Sequence, residues 1–124
     1  MAGPAEPSHK ELSKKLRALS TQVAAGHLPV ADRKKFRRDM ELLEVDTPDE
    51  LRAKLTCACT EMTPEHYAPP HKRKKSYEDA CYGAPMFDFV WDSASEGRRM
   101  YLKFAVKHEQ CWLISFHPDT ETDD

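Results

Sequence analysis

Between Ser8 and Met62 the apolar side chains recur every three or four residues, and between Met86 and His117 they alternate with polar neighbours. The first spacing is that of helices with one buried face, the second that of strands. A first helix opens at Ser8, where Glu11 supplies the other half of a capping box. It carries Leu12, Leu16, Leu19 and Val23 on one stripe and ends at Gly26. A second begins near Pro29–Ala31 and continues through Phe36, Met40 and Leu43. The third has Thr47 as N-cap, Pro48 at its first position and Asp49-Glu50 where the helix dipole favours negative charge. Leu51, Leu55, Ala58 and Met62 give its apolar face, and Thr63-Pro64 closes it. Three strands follow, Met86–Asp92, Arg98–Val106 and Cys111–His117, joined by short connections rich in turn residues. Helices first and antiparallel strands second predict an α+β fold, with N-terminal helices packed on a small antiparallel C-terminal β-sheet. The single domain is expected over residues 8–118, between a disordered segment 1–7 and an acidic disordered tail 119–124.

Cross-strand neighbours point the same way, so the apolar sets of adjacent strands must be opposed. For the last two strands this calls for the odd loop His108-Glu109-Gln110, with Val106 facing Trp112, Phe104 facing Ile114 and Leu102 facing Phe116. The same alignment sets Tyr101 opposite His117 and Lys103 opposite Ser115. A one-residue slip would bury His117 and expose Trp112, at a cost of about 1.5–3 kcal/mol for each large apolar side chain displaced. A four-residue loop, Ala94 to Gly97, then opposes Phe89 to Leu102, Phe87 to Phe104 and Trp91 to Met100, with Asp88 across from Lys103. One face of the sheet is therefore apolar. The other, expected to be its solvent face, gathers Asp88, Tyr101, Lys103, Ser115 and His117.

Composition narrows the partners. The chain has 124 residues, 40% hydrophobic and 32% charged, with a mean hydropathy of −0.74, which suits one modest core and a hydrated surface. No stretch approaches a membrane span and the N-terminus has no signal pattern, so a cytoplasmic protein with no membrane partner is expected. Cys57, Cys59, Cys81 and Cys111 lack zinc-site spacing and read as reduced, buried structural thiols, with no metal or other cofactor expected. The net charge of −2 conceals strong segregation. Residues 1–38 hold nine basic against three acidic side chains, and residues 39–65 hold two against eight. A basic surface can form if the acidic block folds away from it. The run His71-Lys72-Arg73-Lys74-Lys75 reads either as a solvated loop or as a strap for nucleic-acid phosphates.

The segment Met100 to His117, with Tyr101-Leu102-Lys103, Val106, His108 and Ser115-Phe116, resembles the C-terminal hairpin of MqsR-type toxins. Leu43-Glu44-Val45-Asp46 and Glu65-His66-Tyr67 resemble the helical part of that family more faintly. These toxins are bacterial mRNA interferases of toxin–antitoxin modules, so the resemblance implies a RelE-like two-layer fold, metal-independent endoribonuclease activity on mRNA and an antitoxin protein partner. It also places the tyrosine of the Tyr-Leu-Lys strand, here Tyr101, in the active site. Where the family has a catalytic lysine this chain has His117, and Ala68 and Phe87 stand at two further family positions.

Cleavage without metal uses the ribose 2′-hydroxyl as nucleophile and needs a base, an acid and cations for the phosphorane. Histidine titrates near neutral pH, which suits His117 to the acid or base role. Tyr101 is expected to donate a hydrogen bond, and Lys103 to stabilise charge together with Arg98 or Arg99. His66 and the run His71, Lys72, Arg73, Lys74 and Lys75 would hold the substrate. A competing expectation is a non-catalytic module, such as a phage or mobile-element protein that binds a host protein through the sheet. A DNA-binding reading rests only on Asp32–Arg38, which could equally be an edge for RNA or an antitoxin.

Overall fold

Ser8 starts the first helix as expected, its Oγ accepting from the Glu11 amide at 3.0 Å, and α1 runs over His9–Ala25. The computed structural model describes residues 7–68 and 83–119. Gly26 ends α1 in the left-handed conformation (φ 71°), and the amides of Gly26 and His27 reach back to the carbonyls of Val23 and Gln22. Helix α2 spans Arg33–Leu43 and begins later than its apolar pattern predicts. Asp32 caps it, accepting from the Lys35 amide at 3.1 Å. The preceding Pro29–Ala31 is extended instead, because it pairs with a strand edge described below. Helix α3, Pro48–Glu61, has Thr47 as N-cap and Glu50 closing a full capping box. A 3₁₀ turn over Pro64–His66 leads into β1, Tyr67–Ala68. The alternation rule cannot register a strand of two residues, so β1 is an addition to the three expected.

The remaining strands are β2 (Met86–Ser93), β3 (Arg98–Lys107) and β4 (Gln110–Pro118), and the antiparallel sheet has the order β1-β2-β3-β4. The β2–β3 register is the expected one throughout, with Phe87 on Phe104, Asp88 on Lys103, Phe89 on Leu102 and Trp91 on Met100. The β3–β4 register is the expected one only at its far end: Leu102 on Phe116, Tyr101 on His117 and Lys103 on Ser115. Nearer the turn, Phe104 faces Leu113 and Val106 faces Cys111, so the pairs proposed with Ile114 and Trp112 do not form. The loop has two residues, not three. His108 and Glu109 both take positive φ (51° and 67°), the pair of values that a two-residue turn needs to match strand twist. The missing residue reappears as a bulge between Lys103 and Phe104, opposite Ile114.

That bulge reverses the facing of β4 part-way along. Cys111, Leu113 and Phe116 join the main core with Leu12, Leu19, Val23 and Leu55 of the helices and Phe89 and Phe104 of the sheet. Ile114 turns to the other face, where it is buried with Ala84, Met86 and Ala105, and where Ala31 and Trp112 pack against it. The second face is therefore part apolar, which corrects the expectation of a plain solvent face. Among the cysteines, Cys111 is buried and Cys59 partly buried, both without a disulfide, but Cys57 is exposed because it lies off the apolar stripe of α3. Burial pushes the Cys59 thiol up to about 11 and the Cys111 thiol up to about 12. Cys81 lies outside the described residues.

The outer edge of β4 is occupied. Leu113 donates to Pro29 O at 2.8 Å and accepts from the Ala31 amide at 2.9 Å. Further along, the Phe116 amide donates to Asp39 Oδ2 at 3.0 Å, and Asp39 is only 3% exposed. These two ties set α2 alongside β4, running the same way.

A third tie holds the other end of the sheet. Glu61, the last residue of α3, accepts from Trp91 Nε1 (2.8 Å), Ser93 Oγ (2.6 Å) and the Ser95 amide (2.9 Å). Burial alone would raise this carboxyl, but the bonds from Ser93, Trp91 and Ser95 outweigh it and bring it down to about 2. The ionised form is thus favoured in the folded state, so its contribution is complete above the ordinary carboxylate range and is lost as pH falls towards 2. Glu61→Gln is expected to lower stability at pH 7 by about 2 kcal/mol, the scale of hydrogen bonds to a charged group. Urea unfolding at stepped pH should show the gap between the two proteins closing from about pH 5 downward.

Candidate functional site

Three consecutive outward positions of β3 (Arg99, Tyr101 and Lys103) share the second face with Asp92 and Asp88 of β2 and with Ser115 and His117 of β4. Pairing brings Tyr101 and His117 directly across from each other, their ring centroids 5.2 Å apart and inclined at 45°. Both are partly exposed. Tyr101 Oη donates to Asp88 Oδ2 at 2.6 Å, and Lys103 Nζ lies 3.6 Å from the same oxygen. Asp88, Lys103 and Ser115 are 4%, 7% and 3% exposed, so this part of the site is an interior one. An isolated buried carboxylate or ammonium is expensive, and the two meet here because each relieves the other.

These contacts redistribute the expected roles. A phenol has one proton, and that of Tyr101 is committed to Asp88. Towards a ligand, Tyr101 therefore offers oxygen as an acceptor and its ring as a stacking surface. Lys103 is turned to Asp88 and inward; it acts on Tyr101 through the carboxylate they share. His117 Nδ1 lies 2.7 Å from Pro118 O. A carbonyl can only accept, so Nδ1 carries the hydrogen of that bond and the lone pair of the neutral ring is on Nε2.

The remaining candidates divide by position. Arg99 is on the face of Tyr101, with its Nε on Asp119 Oδ2 at 3.0 Å, while alternation sends Arg98 to the opposite face. His66 serves its own turn: its Nδ1 accepts from the Thr63 amide at 3.0 Å. His71, Lys72, Arg73, Lys74 and Lys75 lie outside the described residues. Asp88 was visible in the register as the partner of Lys103, but periodicity says nothing of its bond to Tyr101, one position diagonally away. Pro118 O could not be anticipated, since a backbone carbonyl carries no sequence signal. Among the described residues no group of three or more His, Cys, Asp or Glu side chains is placed to hold a metal ion, and no helix is long and apolar enough to cross a membrane. Comparison with protein-family models, with curated proteins and with solved structures returned no match.

Proposed function

We propose that this chain is a metal-independent endoribonuclease that acts on mRNA, restrained in the cell by an antitoxin-like protein. The observation that carries the reading is the Tyr101–His117 pair, with Nδ1 of the histidine tied to Pro118 O and the phenol held by Asp88. In this reading the neutral imidazole takes the 2′-hydroxyl proton of a bound ribose at Nε2. The 2′-oxygen attacks the adjacent phosphorus, the bond from phosphorus to the 5′-oxygen breaks, and that oxygen leaves with a proton from water. The products are a 2′,3′-cyclic phosphate and a 5′-hydroxyl. Tyr101, tethered to Asp88 through its hydroxyl, holds its ring against the imidazole and so keeps Nε2 directed at the 2′-hydroxyl, a positioning effect. The resemblance of the hairpin to MqsR-type toxins supports the same chemistry.

The test is incubation of the purified chain with a long mRNA in EDTA, with the ends of any fragments identified. Cyclic-phosphate ends are expected, and Tyr101→Phe should slow their appearance by about tenfold or more. An intact transcript would overturn the reading. It would favour instead a non-catalytic module that binds another protein through this sheet, a use to which the mutual neutralisation of Asp88 and Lys103 is better suited.

A further inference from the structure

Helix α2 concentrates five cations, Arg33, Lys34, Lys35, Arg37 and Arg38, into its first six residues. That is the end of a helix where positive charge is least favourable. Among the described residues, none of the five side chains is in an ion pair or a hydrogen bond. The capping carboxylate of Asp32 offsets part of this local electrostatic cost, but it binds the Lys35 amide and pairs with none of the five side chains.

The two ties to β4 say where these cations lie. Val30 bridges to Leu113 and Asp39 bonds to Phe116, so the basic stretch runs beside the segment of β4 that ends at His117. Phe36, Met40 and Leu43 pack towards the core on the same side as Asp39. Arg33 and Arg37, four residues apart, lie on the flank towards α3, where they line a groove with Met40, Pro48 and Leu51. Lys35, Arg38 and the exposed Leu42 recur at three and four residues and fall on the other flank. The helices α1 and α3 are on the core side of the sheet, so this other flank is the one that adjoins the second face, with Tyr101 and His117. Ala31, immediately before the cap, already packs on that face against the Ile114 cluster.

We infer that the Lys35–Arg38 flank of α2 is an edge for the phosphates of single-stranded RNA, which carries the strand across β4 to His117. Charge complementarity selects the occupant: closely spaced cations without partners fit a chain of regularly spaced phosphates. The inference rests on the reading of the chain as an RNA-acting protein, and the test measures binding without cleavage so that either can fail alone.

The probe is a fluorescent 2′-O-methyl oligonucleotide of mixed sequence, which lacks the free 2′-hydroxyl, titrated at several salt concentrations. Each lost phosphate contact on a single strand removes about 0.7 from the slope of log affinity against log salt. For Lys35→Gln with Arg38→Gln the slope should therefore fall by about 1.4, with binding about 25-fold weaker in 0.1 M salt. Arg33→Gln with Arg37→Gln removes the same charge from the other flank and should cost only a few-fold. Equal losses in the two double variants, or no loss in the first, would overturn the inference, as would a parent protein that does not bind the probe. So would a first variant that keeps the probe but releases polyglutamate, since the edge would then belong to an acidic protein. Tight, flank-specific binding together with an intact natural mRNA would leave the inference standing and remove the nuclease reading.

Discussion

His117→Ala is expected to reduce RNA cleavage by about 10²–10⁴-fold, the usual range for loss of a positioned general base. The imidazole is partly exposed and lies near the end of β4, so its removal should leave the thermal midpoint nearly unchanged. Separating these two effects matters, because a misfolded variant would also be inactive. Exogenous imidazole gives a second readout: it should return part of the lost rate to His117→Ala and none to Tyr101→Phe. Full activity in the folded alanine variant would remove His117 from the chemistry.

Lys103→Met carries the largest expected stability effect. It keeps the length of the side chain but leaves Asp88 as a buried carboxylate without its ammonium partner. Breaking one half of such a pair costs about 3–5 kcal/mol, which in a chain of this size lowers the midpoint by roughly 10–20 °C. The double variant Asp88→Leu, Lys103→Met removes both charges and should recover most of that loss, because well-packed apolar replacements of a buried pair are often neutral. Calorimetry on the four proteins of the cycle checks this, and additive losses would refute a coupled pair. The double variant should still cleave poorly, since Tyr101 would have lost the carboxylate that holds its hydroxyl. Stability restored without activity would separate the two roles of Asp88.

The fold was legible wherever burial and periodicity spoke together. Each of Phe87, Phe89 and Trp91 has one sensible partner on β3, and a four-residue loop delivers it. The β3–β4 hairpin was half legible for an instructive reason. A three-residue loop, and a two-residue turn followed by a bulge, insert the same extra residue into β4. They diverge only between Phe104 and the turn, so Tyr101 meets His117 under either. What chose between them was the willingness of His108 and Glu109 to adopt positive φ, which side-chain patterning does not encode. The start of α2 was misplaced because Pro29 and Ala31 look like a helix entrance locally, while the demand of the β4 edge for partners is a tertiary one. At the site, the membership of the polar face followed from alternation. Its burial did not, because the apolar cluster around Ile114 exists only through the bulge.

The occupied edge of β4 also bears on how copies of the chain behave when crowded. A strand at the margin of a sheet is a template on which another molecule can add its own, the first step of ordered aggregation. Here the Leu113 amide and carbonyl and the Phe116 amide are already engaged by Pro29, Ala31 and Asp39. A newcomer on that side would have to peel away the segment entering α2 and leave a buried carboxylate without its donor. The bonds that hold α2 in place thus also serve as a guard against fibril growth along β4.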